Sequence, residues 1–386
     1  MKGLVLSAKW DPRPDYKVSE WEQATGKVIT GSSVWRYPEL KVKEIKDPKI
    51  GPDDVLLRVK ACGVCGSDIH FYETDKDGYI LYPGLTKFPV ITGHEFSGQV
   101  AEVGKNVKDL KVGDMVTAEE MIWCGYCTPC RNGFPNQCLN LEEIGFTING
   151  AFAEYLAIGA KYCWKINAIA EKYGDEEKGY EAGATVEPTA VAYNGIIVRA
   201  GGFKLGGYAA VWGAGPIGLA SIALCRAAGA SKVFAFEVSS HRRKLAEAMG
   251  ADHVYDPREV VPHQVIKDLT AGEGCDMLVE AAGAPPKTIP EMCKSMAFNA
   301  KVVMIGRAAE MVPMYLEYFQ TGHSQVFGSQ GHSGNACFPN VVRLMASGRI
   351  DNLKMVTARF DLPGVVDAIK ESGERKHGKI IVKMGR

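Results

Sequence analysis

Two rhythms of hydrophobic and polar positions divide this chain. Over residues 1 to about 160, apolar and polar side chains alternate, as in Val55-Leu56-Leu57-Arg58-Val59-Lys60 and from Ser97 to Val103, and Gly, Pro and Asp break the runs often. Alternation of period two predicts strands with one buried face, so this stretch reads as all-β. From about Ala190 the pattern becomes strand, glycine turn and amphipathic helix, repeated several times. That is the signature of βαβ units and predicts a parallel sheet. Strands are expected at Tyr208–Trp212, Lys232–Phe236, Met277–Glu280 and Lys301–Ile305. From about Gly334, helical patterns at Phe338–Ser347 and Leu362–Glu371 lead to a last strand at Lys379–Met384, and this tail is expected to return to the first region. The predicted plan is an α/β protein with a β-rich domain over 1–189, a parallel-sheet domain over 190–333 and a return segment over 334–386.

Composition narrows the functional classes. The chain has 386 residues, 46% of them hydrophobic and 23% charged, which is enough for two cores and excludes disorder. Formal net charge is zero and no basic run exceeds Arg242-Arg243-Lys244, so nucleic acid is not an expected partner. The start, Met1 to Leu6, is strand-like and lacks the long apolar core of a signal peptide, and the longest apolar runs fall short of a membrane span. A cytoplasmic protein with no membrane partner is expected. Cys62, Cys163, Cys225, Cys275, Cys293 and Cys337 are scattered and read as reduced thiols.

The remaining five cysteines carry chemistry. Gly63-Val64-Cys65-Gly66-Ser67-Asp68-Ile69-His70 is followed by Gly93-His94-Glu95 and, much later, by Glu187-Pro188. A thiolate from Cys65, an imidazole from His94 and a carboxylate from Glu95 or Glu187 would give zinc three protein ligands and leave its fourth position open. An open zinc acidifies a coordinated hydroxyl. If Cys65, Glu95 and Glu187 all bound directly, three negative charges would weaken the Lewis acid, so one glutamate, preferably Glu187, is expected to act through water. Cys62 also has zinc-ligand spacing from Cys65. A second set, Cys124-x2-Cys127-x2-Cys130-x7-Cys138, has the spacing of a closed, structural four-thiolate zinc site. Gly125, Pro129, Gly133 and Pro135 are expected to keep that lobe out of helix and strand. Disulfides between the same thiols are disfavoured without export.

Gly213-Ala214-Gly215-Pro216-Ile217-Gly218 lies between a strand and a helix pattern. In that setting the motif turns tightly, lets the backbone approach a pyrophosphate and aims a helix N-terminus at it. Glu237, nineteen residues past Gly218, ends the next strand, where a carboxylate takes ribose hydroxyls and repels a 2′-phosphate. NAD is therefore expected over NADP, although Arg242 and Arg243 stand close enough to hold a phosphate.

These motifs, with Gly150-Ala151-Phe152-Ala153-Glu154-Tyr155, occur in the order seen in the zinc-dependent medium-chain dehydrogenases, and most of the chain resembles that family. The resemblance implies a GroES-like catalytic domain carrying two zinc ions, a doubly wound Rossmann domain carrying NAD, and dimers or tetramers built through the latter. It implies that Cys65, rather than Cys62, is the ligand, and that Arg242 stands beside the ribose. It also implies a proton relay from substrate through Ser67 and the nicotinamide ribose to His70, with Asp68 orienting His94. Glu187, where short-chain alcohol enzymes of the family usually carry cysteine, resembles the polyol and threonine branches. Unusual segments around Lys9–Pro14, Val34–Pro38, Gly78–Leu85, Glu119–Met121 and Gly328–Gly334 resemble a branch acting on keto-inositols, which implies a cyclic polyol or keto-polyol substrate. Glu120, Tyr79 and His332 are the candidate substrate contacts. Trp10–Trp35 and Tyr72–Phe88 look like insertions, the second a possible substrate wall. The alternatives are a sorbitol, sugar or L-threonine dehydrogenase, or a non-enzymatic NAD-binding relative.

Overall fold

A computed structural model describes residues 1–307 and 310–385. The chain divides into two compact units: Met1–Glu187 with Ala358–Glu374 and Lys379–Arg386, and Pro188–Thr357 with Arg375–Gly378.

The first unit is β-rich. Its main sheet runs in the order Cys163–Lys165, Met115–Ala118, Glu95–Val103, Asp54–Gly63, Lys379–Lys383, Val356–Asp361, with Tyr155–Gly159 also pairing to Asp54–Gly63. The alternation read from the sequence is observed: Val55, Leu57 and Val59 point into the core while Arg58 is exposed. They pack with Phe96, Val100, Phe152, Ile380 and Val382, all nearly or wholly buried. A second sheet pairs Lys2–Trp10 with Trp35–Glu44 and Val90–Ile91. It supports a separate aromatic cluster containing Trp35, Phe71, Phe88 and Phe146.

The second unit holds a parallel sheet in the order His253–Tyr255, Lys232–Phe236, Tyr208–Trp212, Cys275–Glu280, Met296–Met304, Gln325–Gly328. Strand order reverses between Tyr208–Trp212 and Cys275–Glu280, which is the topological switch point where such sheets bind dinucleotides. Short apolar strands such as Tyr208–Trp212 are buried on both faces, as helix-covered parallel strands must be.

Two expectations differ from the structure. The helix Cys337–Ala346, read from sequence as part of the return segment, belongs to the second unit, and the return begins at Ala358. Its buried face of Phe338, Val341, Val342 and Met345 is amphipathic, and periodicity does not say which core it joins. Its tie is polar: the Asn340 amide donates to the Tyr193 hydroxyl at 3.0 Å, and just beyond the helix the Asn352 amide donates to the Thr189 hydroxyl at 2.7 Å. The four-cysteine lobe also contains short helical turns, Thr128–Arg131 and Pro135–Gln137, each with proline in its first turn, where a missing N–H costs nothing.

Candidate active site and metal centres

Cys65 is the residue that caps the helix Gly66–Tyr72, and the Asp68 carboxylate accepts its backbone N–H at 2.9 Å. This bond fixes the angle at which the thiol leaves the helix start. His94 directly precedes and Glu95 opens the strand Glu95–Val103, which pairs with Asp54–Gly63 so that Glu95 stands opposite Gly63. The Cys65 sulfur, a His94 ring nitrogen and a Glu95 carboxylate oxygen all lie within 4.8 Å of one another. His94 and Glu95 are buried, and the donor set of soft thiolate, imidazole and carboxylate suits zinc. Burial would lower the His94 pKa, but Cys65, Asp68 and Glu187 outweigh it and hold the protonated form well above the ordinary histidine range. An anionic nest of that kind holds a cation in place of the proton. Cys62 is a fully buried residue of the strand Asp54–Gly63 whose thiol is pushed far up, chiefly by burial, and it takes no part in the cluster.

Glu187 lies outside that three-residue cluster, though its charge acts on His94. Its carboxylate is instead within 4.8 Å of the Glu120 carboxylate, and both residues are buried. Ser67 and His70, three residues apart on one helix, share a face. The Ser67 hydroxyl is buried without a hydrogen-bond partner, and His70 is exposed. Asp68 departs from expectation. Its second oxygen and the His94 Nδ1 are both buried and do not bond to each other, so Asp68 acts on Cys65 through the backbone and on His94 only through charge. Burial pushes the Asp68 carboxyl up to about 6, against the pull of His94.

Sequence reading missed Lys379. Its side chain is wholly buried, and its ammonium donates to the Val64 carbonyl at 2.9 Å and to the Glu95 carboxylate. Burial opposes the charge on Lys379, yet Glu95 and Cys65 raise its pKa all the same. The available signal was a lysine opening an apolar run, Lys379-Ile380-Ile381-Val382, directly after a glycine.

The four thiols of Cys124, Cys127, Cys130 and Cys138 converge within 4.8 Å of one another. Cys127 and Cys130 sulfurs are 3.4 Å apart, and the backbone N–H groups of Cys124 and Asn140 both point at the Cys138 sulfur at 3.3 Å. N–H donors aimed at sulfur favour thiolates, the form a tetrahedral zinc needs. The lobe is pinned at its root, where the Trp123 indole donates to Glu119 at 3.0 Å and the Tyr162 hydroxyl donates to the Trp123 carbonyl at 2.7 Å.

In the second unit, Gly213 adopts φ 91°, and a methyl group at Gly218 would strike the Gly213 carbonyl. Gly215 then caps the helix Pro216–Ala227, with Pro216 at its start and Ile217 following. Glu237 ends the neighbouring strand and accepts backbone N–H groups from Ala214 at 2.7 Å and Ser239 at 2.8 Å. Arg243 is bound to the Glu237 and Val238 carbonyls and to Asp256, each at 2.9 Å, so it secures this loop. Arg242 donates its Nε to the His377 carbonyl at 2.8 Å and brings its Nη1 to 3.7 Å from where a Gly215 methyl would stand.

Comparison with known proteins agrees with this geometry. The alcohol dehydrogenase GroES-like domain matches residues 51–168 and the zinc-binding dehydrogenase domain matches residues 216–347. The chain is 45% identical over 382 residues to scyllo-inosose 3-dehydrogenase of Thermotoga maritima, covering 96% of each. It belongs to the zinc-dependent medium-chain dehydrogenases. An L-threonine 3-dehydrogenase of Thermococcus kodakarensis is 36% identical over 68% of this chain and 71% of its own. A Thermotoga maritima chain solved under the provisional name alcohol dehydrogenase superposes with a TM-score of 0.96 at 43% identity, covering 99% of this chain and 100% of that one.

In this dehydrogenase the segments Trp10–Trp35 and Tyr72–Phe88 pack together, with the Trp35 ring 4.8 Å from Phe88. Tyr82 and Phe71 pack on Phe146 at 5.3 and 5.4 Å, and Phe146 lies 4.8 Å from the His94 ring. The segment Tyr72–Phe88 thus reaches His94 through an aromatic stack. Tyr79 is engaged elsewhere, its buried ring held between the Arg13 and Arg36 guanidiniums at 4.0 and 5.2 Å. In the second unit His332 is fully buried, 5.0 Å edge-on from Phe338. No helix among the described residues is long and apolar enough to cross a membrane.

Proposed function

We propose that this dehydrogenase oxidises a secondary alcohol of a cyclic polyol or keto-inositol, with NAD+ as acceptor. The observation that carries the substrate class is the buried Glu120–Glu187 carboxylate pair beside the catalytic cluster. Carboxylates accept hydrogen bonds from hydroxyl groups, and a polyol offers this pair several hydroxyls where a simple alcohol has only the reacting one. The 45% identity to scyllo-inosose 3-dehydrogenase over nearly the whole chain supports the same class.

Cys65, His94 and Glu95 would hold zinc, with Glu187 acting through water; the metal would supply the Lewis acid for the reacting hydroxyl, and NAD+ would supply the hydride acceptor. The protein moves the proton. Ser67, buried and unpartnered, accepts it from the substrate hydroxyl, and exposed His70 on the same helix face releases it to solvent. Glu237 selects NAD over NADP by repelling a 2′-phosphate, and Arg242 lies alongside the ribose. Glu120 and His332 are the proposed substrate contacts; Tyr79 serves the insertion scaffold. The second zinc is structural, held by Cys124, Cys127, Cys130 and Cys138. The working form is a cytoplasmic homo-oligomer assembled through the dinucleotide unit, with its thiols kept reduced.

The test is NADH formation by zinc-loaded protein with scyllo-inosose, myo-inositol, sorbitol, glucose and L-threonine. Selective turnover of the inosose is expected. Turnover of threonine or sorbitol with the inosose silent would move the enzyme to that branch.

A further inference from the structure

The strand order around the catalytic cluster places Asp54–Gly63 between Glu95–Val103 on one side and Lys379–Lys383 on the other. Gly63 pairs with Glu95 across one ladder and with Ile381 across the other. Side chains on the two outer strands start about 10 Å apart, two strand spacings, so they meet only where the middle strand leaves room. Gly63 leaves it. A methyl there would strike the Glu95 carboxylate and stand 3.1 Å from Lys379 Cδ. Through this gap Lys379 reaches Glu95, with both side chains essentially inaccessible to solvent.

A buried lysine is stable only where its charge is met, and here four acidic groups lie within its field: Glu95, Cys65, Glu187 and Asp68. With zinc in the cluster and His94 neutral, the acidic groups together would carry more negative charge than the dication offsets. Lys379 offsets part of that excess, and nothing else that is buried and cationic touches the cluster among the described residues.

We infer that Lys379 is a positioning residue of the catalytic metal site, holding the Glu95 carboxylate through the gap at Gly63 and setting the charge balance under which Cys65, Glu95 and Glu187 share one dication. This rests on reading the cluster as the catalytic zinc site. The ion pair would keep Glu95 from acting as a full anionic ligand, which would leave a bound metal the more acidic. Lys379 itself needs no contact with substrate.

The test is cobalt(II) binding at the catalytic site of the full chain, zinc being left in the four-cysteine lobe, measured by chelator competition at fixed pH. Four proteins are compared: wild type, Lys379→Met, Glu95→Gln and the double variant. Glu95→Gln strands a cation beside the metal and is expected to bind cobalt at least tenfold more weakly than the double variant, although both lack the Glu95 charge. Lys379→Met, with its extra negative charge, is expected to bind at least tenfold more tightly than wild type. Equal affinity in Glu95→Gln and the double variant would reduce Lys379 to a space-filling residue and overturn the inference. Should Lys379→Met fail to fold around its unpaired carboxylate, the neutral pair in the double variant still decides. Wild-type protein that takes up no cobalt outside the lobe would overturn the zinc-site reading and this inference with it.

Discussion

The Glu237 carboxylate accepts the backbone N–H of Ala214 at 2.7 Å, inside the glycine turn. The residue proposed to discriminate the ribose therefore also braces the glycine turn proposed to receive the pyrophosphate. Its other oxygen caps Ser239 at 2.8 Å, which leaves each oxygen a further lone pair for a ribose hydroxyl.

Glu237→Ser should consequently do two things at once. The ratio of NADH to NADPH affinity falls, and NADH binding itself weakens by about tenfold as the Ala214 brace is lost. Fluorescence titration with both nucleotides measures this, and an unchanged ratio would remove Glu237 from cofactor selection.

Ser67→Ala tests the proton path. With the hydroxyl gone, kcat should fall by about 10²–10⁴. Zinc content and NADH affinity should remain at wild-type values, since Ser67 makes no structural hydrogen bond. Full turnover in this variant would mean that the proton leaves by another route.

Cys127→Ser addresses the lobe. The sulfurs of Cys127 and Cys130 lie 3.4 Å apart, and a closed tetrahedral site does not survive loss of a ligand at wild-type affinity. Metal analysis should give about one zinc per chain fewer, with earlier proteolytic cleavage around Cys124–Cys138. Retention of both zinc ions under a competing chelator would argue against a four-thiolate centre.

Glu181 gives a pH signature. Burial would push its carboxyl up, but bidentate bonds from Arg359 at 2.8 and 2.6 Å, together with Lys383 at 3.2 Å, hold it below the ordinary range. A depressed carboxyl stabilises the fold fully above its unfolded pKa of about 4.3, and that contribution is lost as pH falls through the lower folded value. Glu181→Gln should cost about 1.5–3 kcal/mol at neutral pH. Its urea midpoint should converge on wild type as pH drops below about 4.

Much of the site could be read from the sequence because its parts are local. Cys65, Ser67, Asp68 and His70 sit on one helix start, His94 and Glu95 are adjacent, and the four lobe cysteines fall within one short segment. Period-two alternation located Asp54–Gly63, and the glycine motif located the turn after Tyr208–Trp212. The parts that escaped are non-local. Lys379 is 284 residues from Glu95, and in Lys379-Ile380-Ile381-Val382-Lys383 it shares parity with the half-exposed Lys383. Only the absent side chain at Gly63 lets it turn inward. The helix Cys337–Ala346 was misplaced for a similar reason, since an amphipathic face records that a core exists and not which one.

The strand Lys379–Lys383 also sets a timetable for synthesis. Cys65, His94 and Glu95 leave the ribosome early, but their sheet stays open on one side until the whole of Pro188–Thr357 has been made. The dinucleotide unit, nearly continuous in sequence, can fold as it emerges, whereas the catalytic unit must hold its ligands in an unfinished sheet. The sheet that carries the candidate ligands is thus completed late, when Lys379–Lys383 pairs with Asp54–Gly63.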